Sequence, residues 1–145
     1  MKNLKKEIAQ VLLLEPQDLA HTDTATAWLD TLGFEGATLS AVIGALTGSD
    51  GSNYLTPVLQ HSDTTAATAA EAVAAADIEG AFTKVDAANE DSLIQTVGYV
   101  GAKRYVRINF DYTGTGISAG IVGAYGTLGH ASRRPAVAPA AVAAT

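Results

Sequence analysis

The sequence predicts an all-β protein, a jelly roll or β-sandwich. Three observations carry that prediction. Residues 104–112, RYVRINFDY, alternate: Val106, Ile108, Phe110 and Tyr112 fall on one side, Tyr105, Arg107, Asn109 and Asp111 on the other. A period of two belongs to a half-buried strand, because successive side chains point to opposite faces. Six or so such short runs are separated by clusters of turn formers, among them TGSDGSN at 47–53 and TGTG at 113–116. They are interrupted by one alanine-rich excursion and do not alternate with helices, so strands packed on strands are favoured over a βαβ arrangement.

At 145 residues the chain fits one domain. Apolar residues make up 48%, but much of that is alanine, so the core is thin for its composition. There is no cysteine, which excludes disulfides and thiolate metal sites. A small domain without such staples often gains stability by oligomerising. The formal net charge is -6, and no Lys or Arg occurs between Lys6 and Lys84. That balance argues against a nucleic-acid binder, which needs a basic stripe. Separated poles of charge suit identical subunits meeting head to tail, or docking on an oppositely charged scaffold. No apolar run reaches the ~20 residues that span a bilayer, so no membrane role is expected.

In chain order, residues 1–20 read as an N-terminal arm or short helix. Leu4, Ile8, Val11 and Leu12 stand at helical spacing and Pro16 ends the pattern. The β domain is expected over 21–130. Ala27–Asp30 is a short strand in which Trp28, the single tryptophan, anchors the core. Residues 37–46 form a mostly buried strand. The loop 47–53 reads as a hairpin turn into a partner strand, 54–61, whose Pro57 confines it to a sheet edge or a bulge. Residues 62–76, SDTTAATAAEAVAAA, form a surface excursion carrying a short helix. The chain returns to the sheet through 81–85, and 92–98 is a further strand. Residues 98–128 read as two strands joined by the glycine turn, the second unusually rich in Gly and Ala, which permits close backbone approach. The Ala- and Pro-rich residues 131–145 form an extended tail, to be ordered by a neighbouring subunit or by folding back on its own domain.

The residues name no reaction. His21, His61 and His130 fall in separate loops or strand ends, without HExxH spacing, and read as exposed. There is no GxSxG, Gly48–Ser52 lacks the closing glutamate of a calcium loop, and Gly98–Lys103 lacks Walker spacing. No catalytic, cofactor-binding or metal-binding residue is assigned, and the chain reads as a non-enzyme. What stands out is Arg104 and Arg107 beside Tyr105. With Tyr99, Lys103, Arg133 and Arg134 they form a candidate contact surface, since Arg and Tyr are enriched where interfaces are strongest. The alternative for Arg107 is cross-strand pairing with Asp111 or another acid.

Three stretches carry a resemblance: Leu32-Gly33-Phe34-Glu35-Gly36; Gly98-Tyr99-Val100-Gly101 followed by Lys103-Arg104-Tyr105-Val106-Arg107; and Leu128-Gly129-His130. Over roughly Leu29–Pro135 the chain resembles the small capsid decoration, or cement, proteins encoded among the head genes of tailed bacteriophages. The resemblance implies a jelly-roll or β-sandwich subunit, often a homotrimer, that clamps neighbouring capsomers. It implies the major capsid protein as partner, the capsid exterior as location, the host cytoplasm as the place of assembly, and no cofactor. The excursion departs from the pattern, with alanines where a more aromatic loop is expected. Two other readings stay open: a neck or tail-completion protein, and a glycan- or host-surface-binding module of a tail or fibre.

Overall fold

The computed structural model describes residues 4–18, 22–87, 90–133 and 136–145. Along the chain the strands are β1 (Ile8–Asp18), β2 (Thr24–Ala25), β3 (Leu29–Asp30), β4 (Phe34–Thr47), β5 (Tyr54–Ser62), β6 (Glu71–Ala72), β7 (Ile78–Glu79), β8 (Leu93–Tyr99), β9 (Tyr105–Thr113) and β10 (Ala119–Ala131). They form two antiparallel sheets. The first has the order β1-β10-β4-β8-β7; the second has β2-β9-β5-β6, with β3 also paired to β9. This is an all-β sandwich.

The alternation read from sequence places the core. Val106, Ile108 and Phe110 on β9 are fully buried, as are Leu39 and Ala41 on β4 and Val122 and Leu128 on β10. With Leu55 and Leu59 of β5 and Val97 of β8 they make one hydrophobic cluster. Burying each large aliphatic or Phe side chain contributes about 1.5–3 kcal/mol. The small residues of β10 set how closely the layers approach. A Cβ on Gly126 would lie 2.6 Å from Leu29 Cδ2, so the short strand β3 reaches the first sheet only because that position carries no side chain.

Residues 8–18 are neither a helix nor a free arm. They form the edge strand of the first sheet, with Ala9, Val11 and Leu13 buried and Gln10 and Leu12 outside. The apolar residues fit both periods over so short a run, and pairing with β10 decided between them. Pro16 ends no helix; it stands in an edge strand whose register slips twice, between Leu12 and Leu14 and between Leu14 and Gln17.

The two expected hairpins are also corrected. β4 pairs with β10 and β8, while β5 pairs with β9. The loops after β4 and after β9 therefore each carry the chain from one sheet to the other. Alternation tells which face of a strand is buried but not which strand lies beside it. Asn53 ties the two loops together. Its Oδ1 accepts from the N–H of Thr115 at 3.0 Å and of Gly116 at 2.6 Å, and its Nδ2 donates to Asp50. Residues 81–85 form no named strand: Val85 bridges Leu55, and the Thr83 backbone is held by the Gln95 side chain of β8. The excursion crosses from the edge of one sheet to the edge of the other through two 3-10 turns and the short strands β6 and β7. His61 is buried rather than exposed; His21 lies outside the described residues.

The tail folds back on its own chain. Trp28 and Val142 exchange backbone hydrogen bonds of 2.7 and 3.0 Å, and Thr145 bonds Thr65 and Ala67. Ala136 donates to the carbonyl of Lys6.

Candidate contact surface

The cations named from sequence are largely engaged within the chain. Arg104 grips Asp30 in a two-pronged ion pair, Nε to Oδ1 at 2.8 Å and Nη2 to Oδ2 at 2.7 Å. That hydrogen bond is the main cause that holds the Asp30 carboxyl below the usual carboxylate range, against the opposing effect of burial. The Arg104 guanidinium also lies 4.9 Å from the Tyr105 ring. Lys103 pairs with Glu71, which ties β6 to the start of β9; the hydrogen bond raises the lysine and lowers the glutamate. Arg133 is exposed. Arg134 lies outside the described residues.

Tyr99 and Arg107 are interior groups rather than surface ones. Tyr99 is 7% exposed. Its hydroxyl accepts from the Lys103 N–H at 3.0 Å and lies 3.0 Å from His61 Nδ1, and burial pushes its pKa up. A Cβ on Gly101 would strike the same ring at 2.6 Å, which explains the glycine there. Arg107 is 6% exposed, donates from Nε to Gln60 Oε1 at 2.9 Å, and stacks 4.3 Å from the Trp28 ring. Its partner is a neutral amide and an indole, not Asp111. Burial pushes its pKa down, though a guanidinium stays charged. Trp28 itself is fully buried and donates from Nε1 to the carbonyl of Thr65 at 3.1 Å. The indole therefore sits on the outer side of the second sheet, walled by Arg107, Thr65 and the tail strand.

The first sheet is treated differently. Its outward positions run in rows across the strands: Ile8, Gly129 and Gly36; then Gln10, Thr127, Thr38 and Gly98; then Leu12, Tyr125, Ser40 and Thr96; then Gly123, Val42 and Ile94. Ile121 and Gly44 lie beyond, side by side. None of these positions carries a charge, on a chain of net charge -6. Leu12, Ile94 and Ile121 are 55%, 58% and 57% exposed. The row of Thr38 continues through Gly98 to Glu79 on β7, whose exposed side chain lies over Gly98, and Asp18 on β1 stands opposite Ile121.

The same face is hollow at one end. A cleft of about 510 Å³ is lined by Thr31, Phe34, Glu35, Gly36, Thr38, Gly98, Val100, Gly101, Thr127, Gly129 and His130. A Cβ on Gly129 would meet nothing within 4 Å, so the floor is open because the side chain is missing. His130 holds a left-handed backbone, φ 54°, at the cleft edge, an uncommon conformation for a residue with a side chain. Residues 34–36, 98–101 and 129–130, far apart in sequence, converge here.

Sequence reasoning missed this face. On β10 both alternating sets are mostly apolar or glycine, with Thr127 in one and His130 in the other, so neither could be assigned to water. Comparison with protein-family models, with curated proteins and with solved structures finds no match.

Proposed function

We propose that this chain is a structural subunit of a virus particle. It decorates the outside of a capsid shell as an oligomer and stabilises the shell by holding neighbouring shell subunits together, without catalysing a reaction. The observation that carries this reading is the asymmetry of the sandwich. Its own tail covers Trp28 on the second sheet, while the first sheet presents a broad face whose central strands β10, β4 and β8 carry no outward charge, with Glu79 and Asp18 at its edges. An extended face poor in charge, with exposed Leu12, Ile94 and Ile121, on a small, otherwise acidic protein is a feature of a contact surface. Parts of the stretches on which the likeness to phage head proteins rests, Phe34–Gly36, Gly98–Gly101 and Gly129–His130, meet at the cleft of that face, which supports placing the contact there, while Lys103–Arg107 lies away from it at the start of β9.

The test is co-expression with the shell protein encoded in the same genome, followed by gradient sedimentation. The chain should travel with assembled shells and raise the temperature at which they break. A chain that stays at the top of the gradient while shells form would overturn the reading.

A further inference from the structure

We infer that the groove over Trp28 and Arg107, closed by the chain's own tail, is a docking site for an extended acidic segment of the shell protein, whose carboxylate pairs with Arg107. The inference rests on the proposed structural role and adds a second contact to it.

The buried cation is the first argument. Arg107 is 6% exposed, yet among the described residues no ion pair includes it. Of its five N–H donors only the one on Nε has a partner among the described residues, the Gln60 side chain at 2.9 Å. Its guanidinium otherwise rests on the Trp28 ring, 4.3 Å away. A buried charge is costly unless it is paired, and a guanidinium cannot shed its proton to escape. Arg104 shows the contrast: it is exposed and is gripped by both oxygens of Asp30. The chain holds 15 acids and sets none of them on Arg107.

The tail is the second. Residues 136–145, AVAPAAVAAT, carry no charged side chain, so the segment that closes the groove does nothing for the cation beneath it. Backbone holds this segment: Trp28 and Val142 exchange hydrogen bonds, Thr145 bonds Thr65 and Ala67, and Ala136 bonds Lys6. Among the described residues its single side-chain bond joins the hydroxyls of Thr145 and Thr65 at 3.3 Å. Any extended segment can make backbone bonds of this kind, as when a strand adds to a sheet edge. One that carries Asp or Glu beside Trp28 makes them and also gives Arg107 a two-pronged, charge-assisted partner. The position is defined. Val142 stands directly opposite Trp28, so the two side chains share a side, while Ala141 packs inward on the core.

The third argument is the role itself. A subunit that holds neighbouring shell subunits together must touch two of them. The open face of the first sheet supplies one contact. The groove lies on the other sheet, free to take a segment that reaches over from a second shell subunit.

The test uses the full chain with Glu, Gln or Lys in place of Val142. On a chain of net charge -6, charge alone would make Val142→Lys the most stable of the three and Val142→Glu the least. A carboxylate receptor at Arg107 predicts the reverse, with the unfolding equilibrium constant of Val142→Glu at least ~10-fold below that of Val142→Gln in urea. In an Arg107→Gln background that advantage should vanish. Val142→Glu should also keep the tail in the groove, so its affinity for assembled shells in gradient sedimentation should fall at least ~10-fold below that of Val142→Gln. A stability order of Lys, Gln, Glu would overturn Arg107 as a receptor. The predicted order with equal shell binding by the Glu and Gln variants would overturn the shell segment as occupant and keep the structural role. Self-association of the wild-type chain that Val142→Glu abolishes would give the groove to a second copy and overturn the inference. A wild-type chain that binds no shell would overturn the role and the partner together, while the stability order still decides whether Arg107 takes a carboxylate.

Discussion

Gly126→Ala tests how the two layers are spaced. The new Cβ would sit 2.6 Å from Leu29 Cδ2, 3.0 Å from Cδ1 and 3.3 Å from Cγ, and Leu29 is fully buried. Replacing glycine within a strand gains about 0.5–1 kcal/mol, because the unfolded chain has less freedom to lose. Overpacking a filled core costs about 1–3 kcal/mol. The clash wins, and the variant should lose roughly 0.5–2 kcal/mol, which for a chain of this size lowers Tm by about 2–6 °C. Leu29→Ala alone should cost about 2–5 kcal/mol. Combined, the new methyl enters the space that Leu29 vacates, so the double variant should be more stable than the sum of the singles by at least ~1 kcal/mol. Urea unfolding of the four proteins measures all of this. If Gly126→Ala is stabilising, or if the two changes simply add, β3 does not rest on this part of β10 and the layer geometry is wrong.

Other consequences concern polar groups and the tail. The Tyr112 hydroxyl is buried with no hydrogen-bond partner among the described residues, and burial pushes its pKa up to about 12. Folding therefore favours the protonated phenol, and that stability is lost as pH rises from about 10 towards 12. Tyr112→Phe should be neutral or stabilising by about 1 kcal/mol at pH 7 and should not show this alkaline loss. Asp30 behaves oppositely: its carboxyl is held low by Arg104, so its contribution is present above pH ~4 and disappears as acid protonates it. Asp30→Asn should be less stable than wild type at pH 7, and urea midpoints of the two should converge below pH ~4. Removing residues 136–145 should leave a cooperatively folding sandwich while uncovering Trp28, the single tryptophan. Its fluorescence should shift to the red and become quenchable by acrylamide; an unshifted spectrum would mean that the tail does not seal it. Arg107→Ala should cost about 2 kcal/mol, as it leaves Gln60 unpaired and Trp28 unsupported, whereas Arg104→Ala, at an exposed ion pair, should cost clearly less.

The fold class was legible because β9 alternates cleanly: Val106, Ile108 and Phe110 turned inward as their spacing requires. Pro57 also stands where a missing donor is tolerated, on the side of β5 away from β9 along most of its length. Pairing was less legible. Nothing in TGSDGSN or TGTG distinguishes a loop that returns within a sheet from one that crosses to the other, since both need the same turn formers. The ends of β1 deceived because four apolar residues fit a helix as well as a strand. The site was harder still. Arg104, Arg107 and Tyr99 caught the eye for their chemistry, yet that chemistry is directed at Asp30, Gln60, Trp28 and His61. The open face is built from Gly, Thr and Ser with a few aliphatics, residues that carry no individual signal. It became visible only when the pairing of β1, β10, β4 and β8 brought them into rows.

Hydroxyl-radical footprinting of the chain, free at high dilution and then assembled, tests the contact surface most directly. Leu12, Ile94, Ile121 and Tyr125 should lose their labelling on assembly, while Trp28, already covered by the tail, should be silent in both states. Protection centred on Tyr105 and Arg133, with Leu12 and Tyr125 still labelled, would move the contact to the other side of the sandwich and contradict the account.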